Sequence, residues 1–198
     1  VATPTNRPTS LGLRQVFNVP NVLTFLRILL VPILVVVLLT KFEGKELVGL
    51  GLFLLAALTD LLDGIIARRW GLVTPLGKLL DPAADKILTS AAFISLVELG
   101  HAPAWIVVTI VAREFAISTL RSVAATQHLV IAASWSAKMK TASQIVAISL
   151  LIFHQQLGAF QQLGQIALWI ALLLAVYSGI EYAWRYSAMV VRGNAAGG

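Results

Sequence analysis

The sequence predicts an all-α, polytopic membrane protein with six transmembrane helices and both termini in the cytoplasm. Three observations carry that prediction. The 198 residues are 58% hydrophobic and only 12% charged, with a mean hydropathy of +0.86, whereas soluble domains run at about 45–50% apolar and about 25% charged. The chain length leaves room for roughly six spans of about 20 residues joined by short loops. Lys and Arg also segregate. With six spans, Arg7, Arg14, Arg68, Arg69, Lys78, Arg121, Lys138, Lys140, Arg185 and Arg192 fall on one side, and Lys41 and Lys45 on the other. Positive charge marks the cytoplasmic side.

The elements follow in order. Residues 1–16 are polar, with Pro4, Pro8, Arg7 and Arg14, and read as a partly disordered lead-in or a short interfacial helix. A six-helix domain is expected over residues 17–190. Its first span runs from about Asn21 to Thr40, with Asn18 or Asn21 as cap and Pro20 near the first turn. This run is long, carries Arg27 and lacks a small-residue cleavage site, so it reads as a span rather than a signal peptide. The polar turn Lys41–Glu46 leads to a second span, about Leu47 to Arg68, and Gly71–Pro75 turns the chain into a third, about Leu76 to Leu99. After a loop at Gly100–Pro103 come a fourth span, about Ala104 to Ala125, and a fifth, about Trp135 to His154. The repeat Gln155-Gln-Leu-Gly158, Gln161-Gln-Leu-Gly164 is expected to be loop. A sixth span covers about Gln165 to Tyr186, and residues 191–198 are expected to be disordered. Trp70, Trp135, Tyr182, Trp184 and Tyr186 fall at inner-interface positions and Trp105 at an outer one, as aromatic belts require.

Composition also excludes. There is no cysteine, so disulfides and thiolate metal sites are ruled out. The net charge of +6 flanks apolar runs, which fits topology and anionic lipid and gives no nucleic-acid reading. His101, His128 and His154 are read as loop or interface residues, and Glu181 with Arg185 as a structural i, i+4 pair. Gly49, Gly51 and the small-residue stretch Ala132–Ala137 allow close helix approach without identifying a dimer face.

The chemistry is concentrated in one place. All four aspartates lie between Asp60 and Asp85, as Asp60-Leu-Leu-Asp63-Gly64-Ile-Ile-Ala67-Arg68, eight residues, then Gly77-Lys-Leu-Leu-Asp81-Pro-Ala-Ala-Asp85. Carboxylates in an apolar setting are costly and need a compensating charge. Spacings of i, i+3 and i, i+4 put each pair on one helix face. The short turn between the helices brings both pairs to the cytoplasmic end, with Asp60 roughly 12 Å of rise before Arg68. Four such oxygen donors suit two hard divalent cations bridged by a phosphate oxygen. Gly64 and Gly77 permit close backbone approach, Arg68 offers a phosphate contact and Thr74 a hydroxyl. Two alternatives stand beside this: an Asp–Arg network that only fixes packing, and an ion or proton pathway. The pathway would spread acidic groups through the membrane depth, whereas these cluster at one end.

The pattern Asp-x2-Asp-Gly-x2-Ala-Arg-x8-Gly-x3-Asp-x3-Asp resembles the signature of the CDP-alcohol phosphatidyltransferases, with every fixed position present from Asp60 to Asp85. The resemblance implies six transmembrane helices, usually a homodimer, a binuclear Mg²⁺ or Mn²⁺ site, and transfer of a phosphatidyl-type group from a CDP-linked donor to an alcohol. It implies Asp60, Asp63, Asp81 and Asp85 as metal ligands, with Asp85 the general base. Gly64, Arg68 and Thr74 fall at the CDP-holding positions, and Gly77 and Thr24 are added to that set.

The acceptor is read from the remaining polar residues. Arg27 lies within the first span. On the fourth, Glu114, Ser118 and Arg121 share a face with Arg113 at its edge, and Lys138, Lys140, Thr141 and Gln144 open the fifth. Several cations near a metal site imply an anionic acceptor. The bland readings are an intramembrane ion pair for Arg113–Glu114, a topological anchor for Lys138 and Lys140, and snorkelling for Arg27. Asn18-Val-Pro20-Asn21-x2-Thr24-x2-Arg27, Ala112-Arg113-Glu114-x3-Ser118-x2-Arg121 and Lys138-x-Lys140-Thr141-x2-Gln144 resemble the bacterial phosphatidylglycerophosphate synthase branch of the family. That resemblance implies CDP-diacylglycerol and sn-glycerol 3-phosphate as substrates in a bacterial inner membrane, with the active site facing the cytoplasm. Arg113, Lys138 and Lys140 are the leading expected phosphate contacts, with Arg27 and Arg121 behind them and Glu114 and Ser118 in support. A family member with another acceptor (a phosphatidylinositol-phosphate or cardiolipin synthase) and a divalent-cation transporter or binding protein remain the alternatives.

Overall fold

The computed structural model describes the backbone of residues 19–70, 75–126 and 135–196, and the side chains of 22–59, 80, 82–126 and 135–189. The described residues form six α-helices and one 3-10 segment, with no strand among them. The helices are α1 (Val19–Leu39), α2 (Lys45–Trp70), α3 (Pro75–Glu98), α4 (Ala104–Thr126), α5 (Trp135–Ile152) and α6 (Gln162–Ala196). The 3-10 segment, His154–Phe160, lies between α5 and α6.

The helices turn the usual amphipathic logic inside out. On α1 the buried stripe is Thr24, Arg27, Val31, Leu34 and Leu38, at alternating spacings of three and four. Its outward face is Phe25, Leu26, Leu29, Ile33 and Val36, all exposed. Arg27 is 0% exposed, so it is enclosed by protein rather than snorkelling to an interface. The same holds on α6, where Leu173, Tyr177, Ile180 and Trp184 are exposed while Ser178 is buried. Among the described residues, buried polar groups beside rows of exposed large apolar side chains are the pattern of a protein solvated by lipid.

α1 packs on α2 and α3, α6 on α5 and α4, and α3 bridges the two groups through α4 and α5. The apolar core joins Leu34, Phe53, Phe93, Leu96, Ile106, Ile110, Ile148, Leu151 and Leu168 in one cluster. Gly49 is a close approach between α2 and α1, since a Cβ there would lie 2.6 Å from a Leu38 methyl. Gly51 faces open space. α3 ends in a Schellman turn: Gly100 (φ 72°) donates to the Val97 carbonyl at 2.9 Å and His101 to the Leu96 carbonyl at 2.9 Å. His101 sits in this turn with its ring 5.0 Å from that of His154. Burial, and then the neighbouring His154, hold its pKa below the ordinary histidine value.

Several expectations need adjustment. Asn21 is not a cap, because α1 is already helical from Val19; Asn18 lies outside the described residues, as do residues 1–16 and His128. The glutamine-rich repeat is not plain loop. α5 stops at Ile152 and turns by 93° into the 3-10 segment, with Gly158 at φ 51°, and α6 starts within the second copy of the repeat. α6 also runs to Ala196, into the tail expected to be disordered, because the sequence from Ser187 offers no helix breaker before Gly193. Among the described residues, two helices are by themselves long and apolar enough to cross a membrane: Val22–Leu39 of α1 and Gln162–Met189 of α6. The bent α5 pair makes up to three. On α4 the charges Arg113, Glu114 and Arg121 interrupt the apolar run.

Candidate active site

α2 is helical through Asp60 and Asp63 near its C-terminal end, and α3 is helical through Asp81 and Asp85 near its N-terminal end. Each pair is therefore on one face of its helix. The two helices pack together and are joined by residues 71–74. The side chains of Asp60, Asp63, Arg68 and Asp81 lie outside the described set, as do the surroundings of Gly64 and Gly77, and Thr74 lies outside the described residues altogether. Thr24 is fully buried on α1.

Asp85 is half-buried and lines a cavity of about 220 Å³ between α3, α4, α5 and α6. Among the described residues its wall carries four cationic side chains, Lys86, Arg113, Arg121 and Lys140, and two carboxylates, Asp85 and Glu114. Cations gathered on one side of a partly enclosed space favour an anion there.

The cations are held in place by a network centred on Glu114. Oε1 of Glu114 accepts from Lys140 Nζ at 2.5 Å, Arg113 Nη1 at 3.2 Å and Gln144 Nε2 at 3.2 Å. Arg113 and Glu114 are adjacent on α4 and so diverge by about 100° around the helix. Glu114 reaches α5, and Arg113 reaches α6, where Nη2 donates to Ser178 Oγ at 2.9 Å. Arg121 lies over the Tyr182 ring, 5.6 Å from its centroid. At the edge, Glu181 accepts from Arg185 Nη2 at 2.5 Å and from the Ser136 hydroxyl, which ties α5 to α6.

The expected acceptor residues thus divide. Arg113, Arg121, Lys140, Glu114 and Ser118 all line the cavity. Lys138 is exposed and lines no part of it, because two residues along a helix is about 200° of rotation from Lys140. Arg27 is buried on α1 and is likewise not among the lining residues. Sequence reasoning overlooked Lys86, Ser178 and Tyr182. Lys86 was visible as a cation next to the fourth aspartate. Ser178 and Tyr182 share a face at i, i+4 near the inner end of the last span, a signal too weak to stand alone.

The sequence model of the CDP-alcohol phosphatidyltransferases matches residues 17–177. The chain belongs to that family. Among its curated relatives is a Bacillus subtilis (strain 168) protein named CDP-diacylglycerol–glycerol-3-phosphate 3-phosphatidyltransferase. It is 44% identical over 181 aligned residues, covering 84% of this chain and 93% of the relative. A Mycobacterium tuberculosis (strain CDC 1551 / Oshkosh) protein named probable phosphatidylglycerophosphate synthase is 37% identical over 180 residues, covering 88% and 84%. A Salmonella choleraesuis (strain SC-B67) protein with the same name as the Bacillus relative is 36% identical over 171 residues, covering 84% and 93%.

CDP-alcohol phosphatidyltransferases work with divalent metals, and the donor set here suits them. Both aspartate pairs ride on packed helices, all four donors are hard oxygens, and Asp85 opens onto the cavity. Among the described residues no three His, Cys, Asp or Glu side chains converge, and three of the four aspartates are outside that set.

Proposed function

We propose that this chain transfers the phosphatidyl group of CDP-diacylglycerol to sn-glycerol 3-phosphate, giving phosphatidylglycerophosphate and CMP. The observation that carries a phosphorylated acceptor is the cation-rich cavity opening beside Asp85, and the names of the relatives at 36–44% identity support glycerol 3-phosphate among such acceptors. An acceptor that is itself a phosphate monoester needs such a wall, whereas a neutral alcohol does not.

Asp60, Asp63, Asp81 and Asp85 would hold two divalent cations, Mg²⁺ or Mn²⁺, which when bound neutralise the donor pyrophosphate and the charge on departing CMP. Thr24, Gly64, Arg68, Thr74 and Gly77 supply the CDP side of the site. Arg113, Lys140 and Arg121, joined by Lys86, take the acceptor phosphate; Lys138 and Arg27 lie outside the cavity wall and have no part in holding it. Asp85 accepts the proton of the acceptor hydroxyl as its oxygen bonds to the β-phosphorus and the bond to CMP breaks. Positioning matters more here than strong basicity, because a carboxylate near metal is a weak base.

The lysine and arginine distribution supports six spans over residues 17–190, with both termini and the cavity facing the cytoplasm of a bacterial inner membrane. A homodimer is part of the proposal. The test is CMP release from CDP-diacylglycerol by purified protein in detergent with Mg²⁺, with glycerol 3-phosphate, inositol phosphate and phosphatidylglycerol as separate acceptors and an EDTA control. Release with glycerol 3-phosphate alone, abolished by EDTA, is expected. Release with a different acceptor would reassign the substrate. No release, with Mg²⁺ crossing sealed liposomes, would replace the enzyme reading with transport.

A further inference from the structure

The matched family range ends at residue 177, one residue before a part of the cavity wall that the reading above leaves without a role. A Cβ on Gly179 would lie 3.2 Å from both Cγ and Nε of Arg113 and 3.8 Å from its Cδ. The arginine stem thus lies flat on the bare backbone of α6. Beside it, Ser178 Oγ accepts from Arg113 Nη2 at 2.9 Å. The Ser178 hydroxyl donates to the Leu174 carbonyl at 2.6 Å, which turns its lone pairs toward the guanidinium. Nη1 is fixed to Glu114 at 3.2 Å. Arg113 is therefore held along its stem and at both terminal nitrogens, with its side chain 13% exposed. At Gly49, also tightly packed, the three nearest atoms belong to the apolar side chains of Leu38 and Ile152.

We propose that Ser178 and Gly179 are positioning residues of the acceptor site: together they form a seat that fixes the Arg113 guanidinium for the phosphate of the acceptor. The inference rests on the reading of this cavity as the acceptor site. A long cation immobilised before binding loses little freedom when the anion arrives. A methyl group at position 179 displaces it by tenths of an ångström, enough to lengthen and misalign a hydrogen bond to phosphate.

The experiment measures kcat and separate KM values for glycerol 3-phosphate and CDP-diacylglycerol on the purified full chain, with thermal unfolding in detergent alongside. Gly179→Ala is expected to raise the glycerol 3-phosphate KM on the order of 10-fold. Ser178→Ala, which adds no atoms and so introduces no clash, should raise it by a smaller factor. In both, the CDP-diacylglycerol KM stays put. Gly49→Ala, a comparable steric insult elsewhere, should lower the unfolding temperature without that KM split. Gly179→Ala should add nothing once Arg113→Ala is present, since it acts through that side chain. Equal changes in both KM values, or full additivity with Arg113→Ala, would overturn the seat. So would a raised acceptor KM in Arg113→Ala with none in either seat variant, and that result leaves the acceptor site standing. An unchanged acceptor KM in Arg113→Ala would sink the acceptor-site reading and this inference with it.

Discussion

The inward stripe of α4 changes character part-way along. Near its start, Ile106, Val107 and Ile110 are buried in one apolar cluster with Phe93, Leu96 and Ile148. From Arg113 onward the same stripe lines the cavity with Arg113, Glu114, Ser118 and Arg121. α5 does the same in reverse, with Lys140 and Gln144 giving way to Ala147, Ile148 and Leu151. One set of helices thus builds a dry half that packs and a wet half that is charged. In lipid the dry half gains little from the hydrophobic effect and depends on fit.

The largest effect that separates the halves should come from Asp85. Asp85→Asn is expected to cut CMP release about 10³-fold, the range for loss of a general base, with the unfolding temperature close to that of the parent. A parent-like rate would remove Asp85 from the chemistry. Next comes Glu114→Gln, which keeps the shape but leaves Lys140 and Arg113 without their shared counter-charge. Breaking a buried pair costs on the order of 3 kcal/mol, to be read from unfolding in detergent, with weaker acceptor binding as well. Phe93→Ala in the dry half should cost about 2 kcal/mol, the packing part of a core truncation without its transfer part, and leave both KM values unchanged. Lys140→Ala against Lys138→Ala tests helix phase. The first should raise the acceptor KM about 10-fold, as loss of a charge-assisted contact does; the second should leave it nearly unchanged.

The smallest effect belongs to the far end. The folded pKa of His101 lies below the ordinary value, through burial and then His154, with Lys45 and Glu46 also near. The native state therefore binds fewer protons than the unfolded chain. The stability contributed by the neutral ring is full above about pH 6.5 and is lost as pH falls through the depressed folded value. His101→Asn should flatten that slope in an unfolding-versus-pH series and leave catalysis alone.

Much of this was legible beforehand. The first five helices begin and end within two residues of the expected limits, because apolar runs bounded by Gly, Pro and charge define helix ends in lipid. The grouping of Glu114, Ser118 and Arg121, with Arg113 at its edge, was legible from helical spacing; Lys140 entered only together with Lys138, as cations opening the fifth span. The wall from α6 was not. Ser178 and Gly179 carry no charge and break no pattern, and they acquire meaning only because α4 packs across them. Lys138 misled for the opposite reason: its charge was conspicuous and its helix phase went unused. The end of α6 was misjudged because loss of apolarity marks where a membrane stops, not where a helix does.

The sharing of Glu114 also bears on how the chain is made. α1 has a mean hydropathy of 2.9 over Val22–Leu39, apolar enough to span a bilayer. α4 emerges with Glu114 and Arg113 side by side, each other's nearest counter-ion until Lys140 follows on α5. Ser178 comes last. The order of synthesis is thus the order in which each charge meets its neighbour. A nascent chain halted before residue 135 would leave Glu114 with Arg113 as its partner, and without the Lys140 and Gln144 donors that α5 brings.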